Sequence, residues 1–220
     1  MDELSEGKVF QILDWAYNSA INGLPKTLSA YEMADSYMRK SSSLEDAIDS
    51  LIKWQQAKCA TSGFVTGLGG INTLPVAVPT NLASVLYVQI RMIASIAHMR
   101  GYDLKDDQVQ TFVYSCLTGR SVAEIVKQGA IKIGVKVGQA QIKRIPSEIL
   151  KAINKAVGFR LITKFGQKGV LNLGKAVPLI GGVIGGTFDA TSTYVIGKLA
   201  KETFREDGYN NGDGMIVGIQ

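Results

Sequence analysis

One histidine, two cysteines and a few hydroxyl-bearing motifs are what the chain offers for covalent or metal chemistry. With His98 as the single histidine, no two-histidine metal site can form, and a hydrolytic triad would have to use this one ring. His98 precedes Arg100 and Gly101, where an imidazole more often finishes a helix or lies at the edge of a core. Cys59 and Cys116 are far apart, lack metal-ligand spacing and are expected to be reduced packing residues. Residues Gly169 to Ala176 satisfy Gly-x-x-x-x-Gly-Lys, but Ala176 stands where a phosphate loop needs Ser or Thr for magnesium, and no strand precedes it. Ser50-Leu51-Ile52-Lys53 matches Ser-x-x-Lys without the companion hydrolase motifs; on a helix these two are neighbours one turn apart. No catalytic residue, metal ligand or cofactor-binding residue is assigned from these patterns.

Charge placement says more. Between Lys58 and Arg91 there is no charged residue, and between Lys175 and Lys198 only Asp189. A buried charge is costly unless paired, so Arg91 and Asp189 are candidates for a core ion pair or polar switch. The alternative is an Asp189 that caps a helix or faces solvent. The net charge is +5, and it is uneven: twelve of the 24 Lys and Arg fall between Arg120 and Lys175, opposed only by Glu124 and Glu148. Lys132, Lys136, Lys143, Arg144, Lys151, Lys155, Arg160, Lys164 and Lys168 interleave with apolar residues such as Ile145, Ile149, Ile153, Phe159 and Phe165. Pro146 divides this run into two helices. Basic amphipathic helices of this composition lie on anionic membranes, whereas the plain alternative is a solvated helix face. Nucleic acid ranks lower as a partner, because only Phe159 and Phe165 could stack on bases.

These residues must be positioned by helices. Ser29-x-x-Glu32, Ser43-x-x-Asp46 and Ser121-x-x-Glu124 have the form of capping boxes, and Asp103 is a further candidate N-cap. Gly23, Gly101, Gly119 and Gly208 stand where helices should stop. Val109, Phe112, Val113, Cys116 and Leu117 keep helical spacing, as do Val9, Leu13, Ala16, Ala20 and Leu24, and Val122, Val126, Ala130, Ile133 and Val137. The alternation in residues 131–137 resembles a strand, but the capping box at Ser121 favours a helix. The 46% hydrophobic content, 24 glycines and only 20% charged residues imply a deep core or apolar surface kept for a partner.

The two nearly charge-free stretches both look like a Gly-rich turn leading into an apolar helix, a hint of an internal repeat. Gly63 and Gly67, Gly181 and Gly185, and Gly182 and Gly186 are spaced four apart, so each pair would share a helix face and let two backbones approach closely. Pro75 and Pro79 interrupt the first stretch, and Asp189, Thr191, Ser192 and Thr193 dilute the second, which favours a buried hairpin over a membrane span. The expected fold is all-α: a compact helical bundle with a central Gly-rich apolar helical hairpin region. Residues 1–40 are expected as an N-terminal helical extension packed on the core, 41–206 as the main domain and 207–220 as a flexible tail.

At these stretches the chain resembles the EcsC family. One match is Thr66-Gly67-Leu68-Gly69-Gly70-Ile71-Asn72-Thr73-Leu74-Pro75-Val76-Ala77-Val78-Pro79, continuing through Gln89, Arg91 and Met92 to Gly101-Tyr102-Asp103. The other is Gly174-Lys175-Ala176-Val177-Pro178-Leu179-Ile180-Gly181-Gly182-Val183-Ile184-Gly185-Gly186, continuing through Phe188-Asp189-Ala190, Thr193, Ile196-Gly197 and Phe204. The likeness runs from about Leu44 to Phe204. It implies a bacterial, largely helical protein whose family is named from a member encoded beside an ABC transporter, and it implies no particular reaction. Members often have Asp between the two prolines, where this chain has Ala77, so no acid-dependent role carries over there. Arg91 and Asp189 match the family pattern. The acidic N-terminus without an apolar run is unlike a signal peptide, so a cytoplasmic location is expected, peripheral to the inner face of the cell membrane. The leading functional expectation is a non-enzymatic, membrane-associated protein that docks its basic segment on anionic lipid or a membrane protein. The alternatives are a regulatory or interaction module linked to an ABC transporter, and a hydrolase centred on Asp189.

Overall fold

Helix starts follow the capping residues, in a computed structural model that describes residues 6–60, 80–121, 124–125, 147–165, 183–210 and 216–217, with side chains for all of these except 6, 60, 80–82, 148–149, 160–165, 183–189 and 216–217. Helix α1 spans Glu6–Asn22. Helix α2, Ala30–Met38, begins with a full capping box: the Glu32 N–H donates to Ser29 Oγ at 3.2 Å, and the Ser29 N–H donates to Glu32 Oε2 at 2.8 Å. Helix α3, Leu44–Ala60, begins where the Asp46 N–H meets Ser43 Oγ at 3.1 Å and the Ser43 hydroxyl donates to Asp46 Oδ2 at 2.8 Å. Ser121 and Glu124 exchange backbone-to-side-chain bonds of 2.9 and 3.3 Å. The apolar stripe expected beyond them, with its strand-like alternation, lies outside the described residues.

Helix α4, Thr80–Met99, ends in a Schellman motif: the Tyr102 N–H reaches the Ala97 carbonyl at 3.1 Å and the Gly101 N–H reaches that of His98 at 2.9 Å. That turn needs the positive φ of 86° that Gly101 adopts. One expected cap moves. Helix α5, Asp107–Cys116, is capped by Asp106, whose Oδ1 accepts from the Gln108 N–H at 2.7 Å, while Asp103 Oδ1 accepts from the Lys105 N–H in a local turn. The cause is tertiary: Leu104 is drawn into the core and its carbonyl accepts from the Tyr17 hydroxyl at 2.8 Å, so the chain turns once more before the helix begins.

Helix α6 covers Ser147–Phe165 and α7 covers Val183–Thr203. Among the described residues α4 is the centre. Its residues 83–97 are all buried, as suits a helix apolar on every side. It packs against α1, α2, α3, α5 and α7, while α6 lies outside against α1 and α5. The fold is therefore all-α, with a buried central helix. The stripes of α1 and α5 are buried as their spacing requires: Val9, Leu13, Ala16 and Ala20, and Val109, Phe112, Val113 and Cys116. Leu24 lies beyond the end of α1 yet is also buried.

α3 and α7 form a long antiparallel pair, and α7 runs parallel to α4. Ile52 of α3 lies against Gly197 of α7, while Asp49, one turn earlier, meets Lys198 and Lys201 further on. Gln89 of α4 meets Thr193, and Met92 meets Gly197. A Cβ on Gly197 would lie 2.8 and 2.9 Å from the two Cγ atoms of Ile52 and 3.2 Å from Met92 Cε. So the close helix approach that the sequence suggested for Gly63, Gly67, Gly181, Gly182, Gly185 and Gly186 is observed at Gly197. Gly185 and Gly186 fall in α7; Gly63, Gly67, Gly181 and Gly182, and the hairpin turns with them, lie outside the described residues.

Residues 208–210 and 216–217, inside the stretch expected as a flexible tail, are strands. Strands β1 (Phe204–Arg205), β2 (Gly208–Asn210) and β3 (Ile216–Val217) form an antiparallel sheet in the order β1-β2-β3. Gly208, expected to stop a helix, lies with φ 136° in the strand just after the turn at Glu206–Asp207. Burial orders this end: Tyr209 is 4% exposed, and its ring meets Phe112, Tyr102 and Phe204 at centroid distances of 4.4, 4.8 and 5.9 Å. α1 and α2, expected as an extension packed on the core, bury Ile12, Leu13, Ala30 and Met33 in the same core as α4.

Candidate functional site

The basic residues of α6 sort by helix geometry. Ala152, Ile153 and Val157 face inward and are buried. Lys151, Lys155 and Phe159, four residues apart, share the opposite face, where both lysines are exposed and Phe159 is 70% exposed. An exposed aromatic in line with two ammonium groups is an amphipathic strip on the outside of the bundle. Arg160 and Lys164 belong to the same helix, with side chains outside the described set. Lys132, Lys136, Lys143, Arg144 and Lys168 lie outside the described residues.

A second feature is a charged cleft of about 650 Å³ where α3, α7 and the β-turn meet the end of α4. Arg100 joins Glu45 of α3 to Glu206 of the turn, the latter at 3.2 Å. Lys201 of α7 reaches Glu45 at 2.7 Å and Asp49 at 2.9 Å, and Lys198 reaches Asp49 at 3.0 Å. Hydrogen bonds from Lys201 and then Arg100 hold the Glu45 carboxyl below its ordinary value. For Asp49, burial pushes upward, but bonds from Lys201 and Lys198 overcome it and the net direction is down. The four basic groups lining the cleft each have a carboxylate partner, so its arrangement ties elements together.

The third feature is Arg91. It is 4% exposed, and its Nη1 donates to the Leu28 carbonyl and the Tyr87 hydroxyl, each at 3.1 Å. Its guanidinium lies 4.8 Å from the centre of the Tyr87 ring. The Tyr87 hydroxyl is fixed in turn by Thr27 Oγ1 at 2.7 Å. Burial pushes the Arg91 guanidinium down from its ordinary value, with Tyr87 and Tyr37 opposing. Arg91 does not turn toward the helix that carries Asp189. Gln89, two residues earlier and so about 200° round the helix, is the residue that meets α7, donating to Thr193 Oγ1 at 3.1 Å. Among the described residues the contacts of Arg91 therefore lie on the other side of α4 from Gln89; the Asp189 side chain, expected as its partner, lies outside the described set.

The remaining candidates are settled by position. His98 meets Tyr31 edge-on at 4.8 Å. Cys59 and Cys116 are free and buried, and burial pushes the Cys116 thiol up to about 12, so it stays protonated at neutral pH. Ser50 and Lys53 lie one turn apart on α3. Thr191 is exposed and Thr193 is buried against Gln89, while the Asp189 side chain lies outside the described set. The Gly-x-x-x-x-Gly-Lys stretch lies outside the described residues. Among the described residues no group of three or more His, Cys, Asp or Glu could hold a metal ion, and no helix is long and apolar enough to cross a membrane.

Sequence reasoning missed the ion-pair cleft and the polar Gln89–Thr193 and Gln55 positions. The i, i+4 spacing of Glu45 and Asp49 and the i, i+3 spacing of Lys198 and Lys201 were a usable signal for the first.

These features define a helical-bundle protein with a buried arginine at its centre and a basic, partly apolar strip on the outer face of α6. The chain belongs to the EcsC protein family, whose model matches residues 16–206. The match begins inside α1, so it takes in α2 and part of α1 that the sequence reading had set apart as an extension. No curated protein and no solved structure matches the chain.

Proposed function

We propose that this EcsC-family protein docks on an anionic membrane surface through the outer face of α6 and the basic segment around it, without spanning the bilayer and without catalysis. The observation that carries this reading is the alignment of Lys151, Lys155 and the 70% exposed Phe159 on one face, with the opposite face anchored in the bundle. Lysines near an anionic surface each contribute about 1 kcal/mol, and an aromatic ring beside them enters the headgroup boundary. The twelve basic residues between Arg120 and Lys175 extend the same sign of charge along the chain. In this reading the protein works at the inner face of a bacterial cell membrane, and the helical core is the rigid body that the strip carries there.

Vesicle flotation tests the proposal, comparing neutral phosphatidylcholine with vesicles that also contain phosphatidylglycerol. The protein is expected to float only with the anionic vesicles. Lys151→Glu combined with Lys155→Glu should weaken binding by at least about 30-fold, the equivalent of two lost lysine contacts. Phe159→Ser should weaken it independently of salt. Absence from both vesicle fractions, or unchanged flotation of the double variant, would end the lipid reading; retention of the strip's effect on a membrane-protein partner alone would favour the regulatory-module alternative.

A further inference from the structure

The five helices that pack on α4 and the outer helix α6 close into a ring: α1, α2, α3, α7 and α5 touch in that order, and α6 touches α5 and α1. α3 and α6 therefore stand three neighbours apart in either direction, on opposite sides of the bundle. Their outer faces point away from each other across more than two helix-packing distances, each about 8–10 Å. A flat bilayer seated on α6 leaves the outer face of α3 turned toward whatever lies on the far side.

The outer face of α3 repeats the chemistry of the α6 strip. Ile48, Leu51, Ile52 and Gln55 fix its inner side in the core. Trp54 is 61% exposed, with Lys53 and Ala57 exposed beside it. Among the described residues Trp54 and Phe159 are the two most exposed large apolar side chains, and each stands on a helix face that also carries exposed lysine. Charge sign favours an anionic surface here as well. The acids of α3 lie between Glu45 and Asp49, where Asp46 accepts from Ser42 and Ser43, and Glu45 and Asp49 meet Lys201. From Ser50 to Tyr102 the sequence holds no acid, against Lys53, Lys58, Arg91 and Arg100. An indole settles at the headgroup level of a bilayer, with its ring in the apolar boundary and its N–H wet. A lysine beside it adds about 1 kcal/mol on an anionic surface.

We infer that the second half of α3, with Trp54 and Lys53, is a second docking face for an anionic bilayer, so that one molecule bridges two membrane surfaces. The inference rests on the docking reading of α6. α3 is the weaker face, with one fully exposed lysine where the described part of α6 has two. Flotation therefore follows α6, and clustering of vesicles requires both faces. The full chain is mixed with extruded vesicles of phosphatidylcholine with or without phosphatidylglycerol, and clustering is followed by dynamic light scattering. Only the anionic vesicles should cluster. Lys53→Glu combined with Trp54→Ser should raise the protein concentration for half-maximal clustering at least about 5-fold, the equivalent of one lost lysine contact, while flotation stays as in the parent. In Trp15→Phe, Trp54 is the one indole left, and its emission should shift to the blue on anionic vesicles. Vesicles loaded with protein should capture bare anionic vesicles. Capture restricted to two loaded populations would assign α3 to a second copy of the chain and overturn the bridge. Dispersed vesicles with flotation intact, unchanged clustering in the double variant, or an unshifted Trp54 emission would also overturn it and leave the docking reading of α6 standing. Loss of flotation itself would remove both.

Discussion

Gly197 stands where α7 touches α3 and α4 together, and the absence of its Cβ sets how close the three helices come. An alanine there would lie 2.8 and 2.9 Å from the Cγ atoms of Ile52. Those atoms belong to a stiff β-branched side chain and cannot swing aside. Gly197→Ala should therefore cost about 1–3 kcal/mol, although alanine is the better helix former. Urea unfolding checks this. In a double-mutant cycle, Gly197→Ala should cost much less on an Ile52→Ala background, because the clashing atoms are gone. A penalty unchanged by Ile52→Ala would place the strain elsewhere.

The contact between α3 and α7 combines that apolar crossing with the charged ladder of Glu45 and Asp49 against Lys198, Lys201 and Arg100. Both carboxyls have folded-state pKa values below their ordinary values. The sign follows: their contribution is complete above the ordinary carboxylate range and is lost as pH falls through the lowered folded values. Stability should thus hold from neutral pH down to about 4.5 and decline below it. The side chains of Glu45 and Asp49 are 52% and 37% exposed, so each pair contributes below about 1 kcal/mol and weakens in salt. Urea midpoints from pH 7 to pH 3 should fall less steeply in Glu45→Gln than in the parent. Parallel curves would show that the ladder does not report on acid stability.

At the scale of the molecule, the C-terminal sheet closes the end of the bundle by inserting Tyr209 among Tyr102, Phe112 and Phe204. This joins β1, which directly follows α7, to the α4–α5 connection and to α5. Tyr209→Ala leaves an aromatic-sized cavity there, with an expected cost of about 3–5 kcal/mol, while Asp207→Ala on the neighbouring turn should change stability by less than about 0.5 kcal/mol. Chemical denaturation of both variants measures the contrast. Equal effects would mean that Tyr209 merely rests on the surface of the bundle.

The capping boxes at Ser29, Ser43 and Ser121, the glycine stop at Gly101 and the apolar stripes of α1 and α5 were legible because each depends on residues within one or two turns. The all-α class followed from them. The lysine strip was legible as composition, but only the burial of Ala152, Ile153 and Val157 decides that Lys151, Lys155 and Phe159 point outward. Asp106 replaced Asp103 as a cap because Leu104 answers to Tyr17, 87 residues away. Tyr209 is ordered because distant aromatic rings surround it, so local glycine content misled. Arg91 was singled out correctly as a charge in an apolar run, but its partners depend on helix rotation: two residues along α4 separate the face that meets α7 from the face that meets α2. Local hydrogen bonding and periodicity are written in neighbouring residues, whereas which faces meet is fixed only when all the helices pack at once.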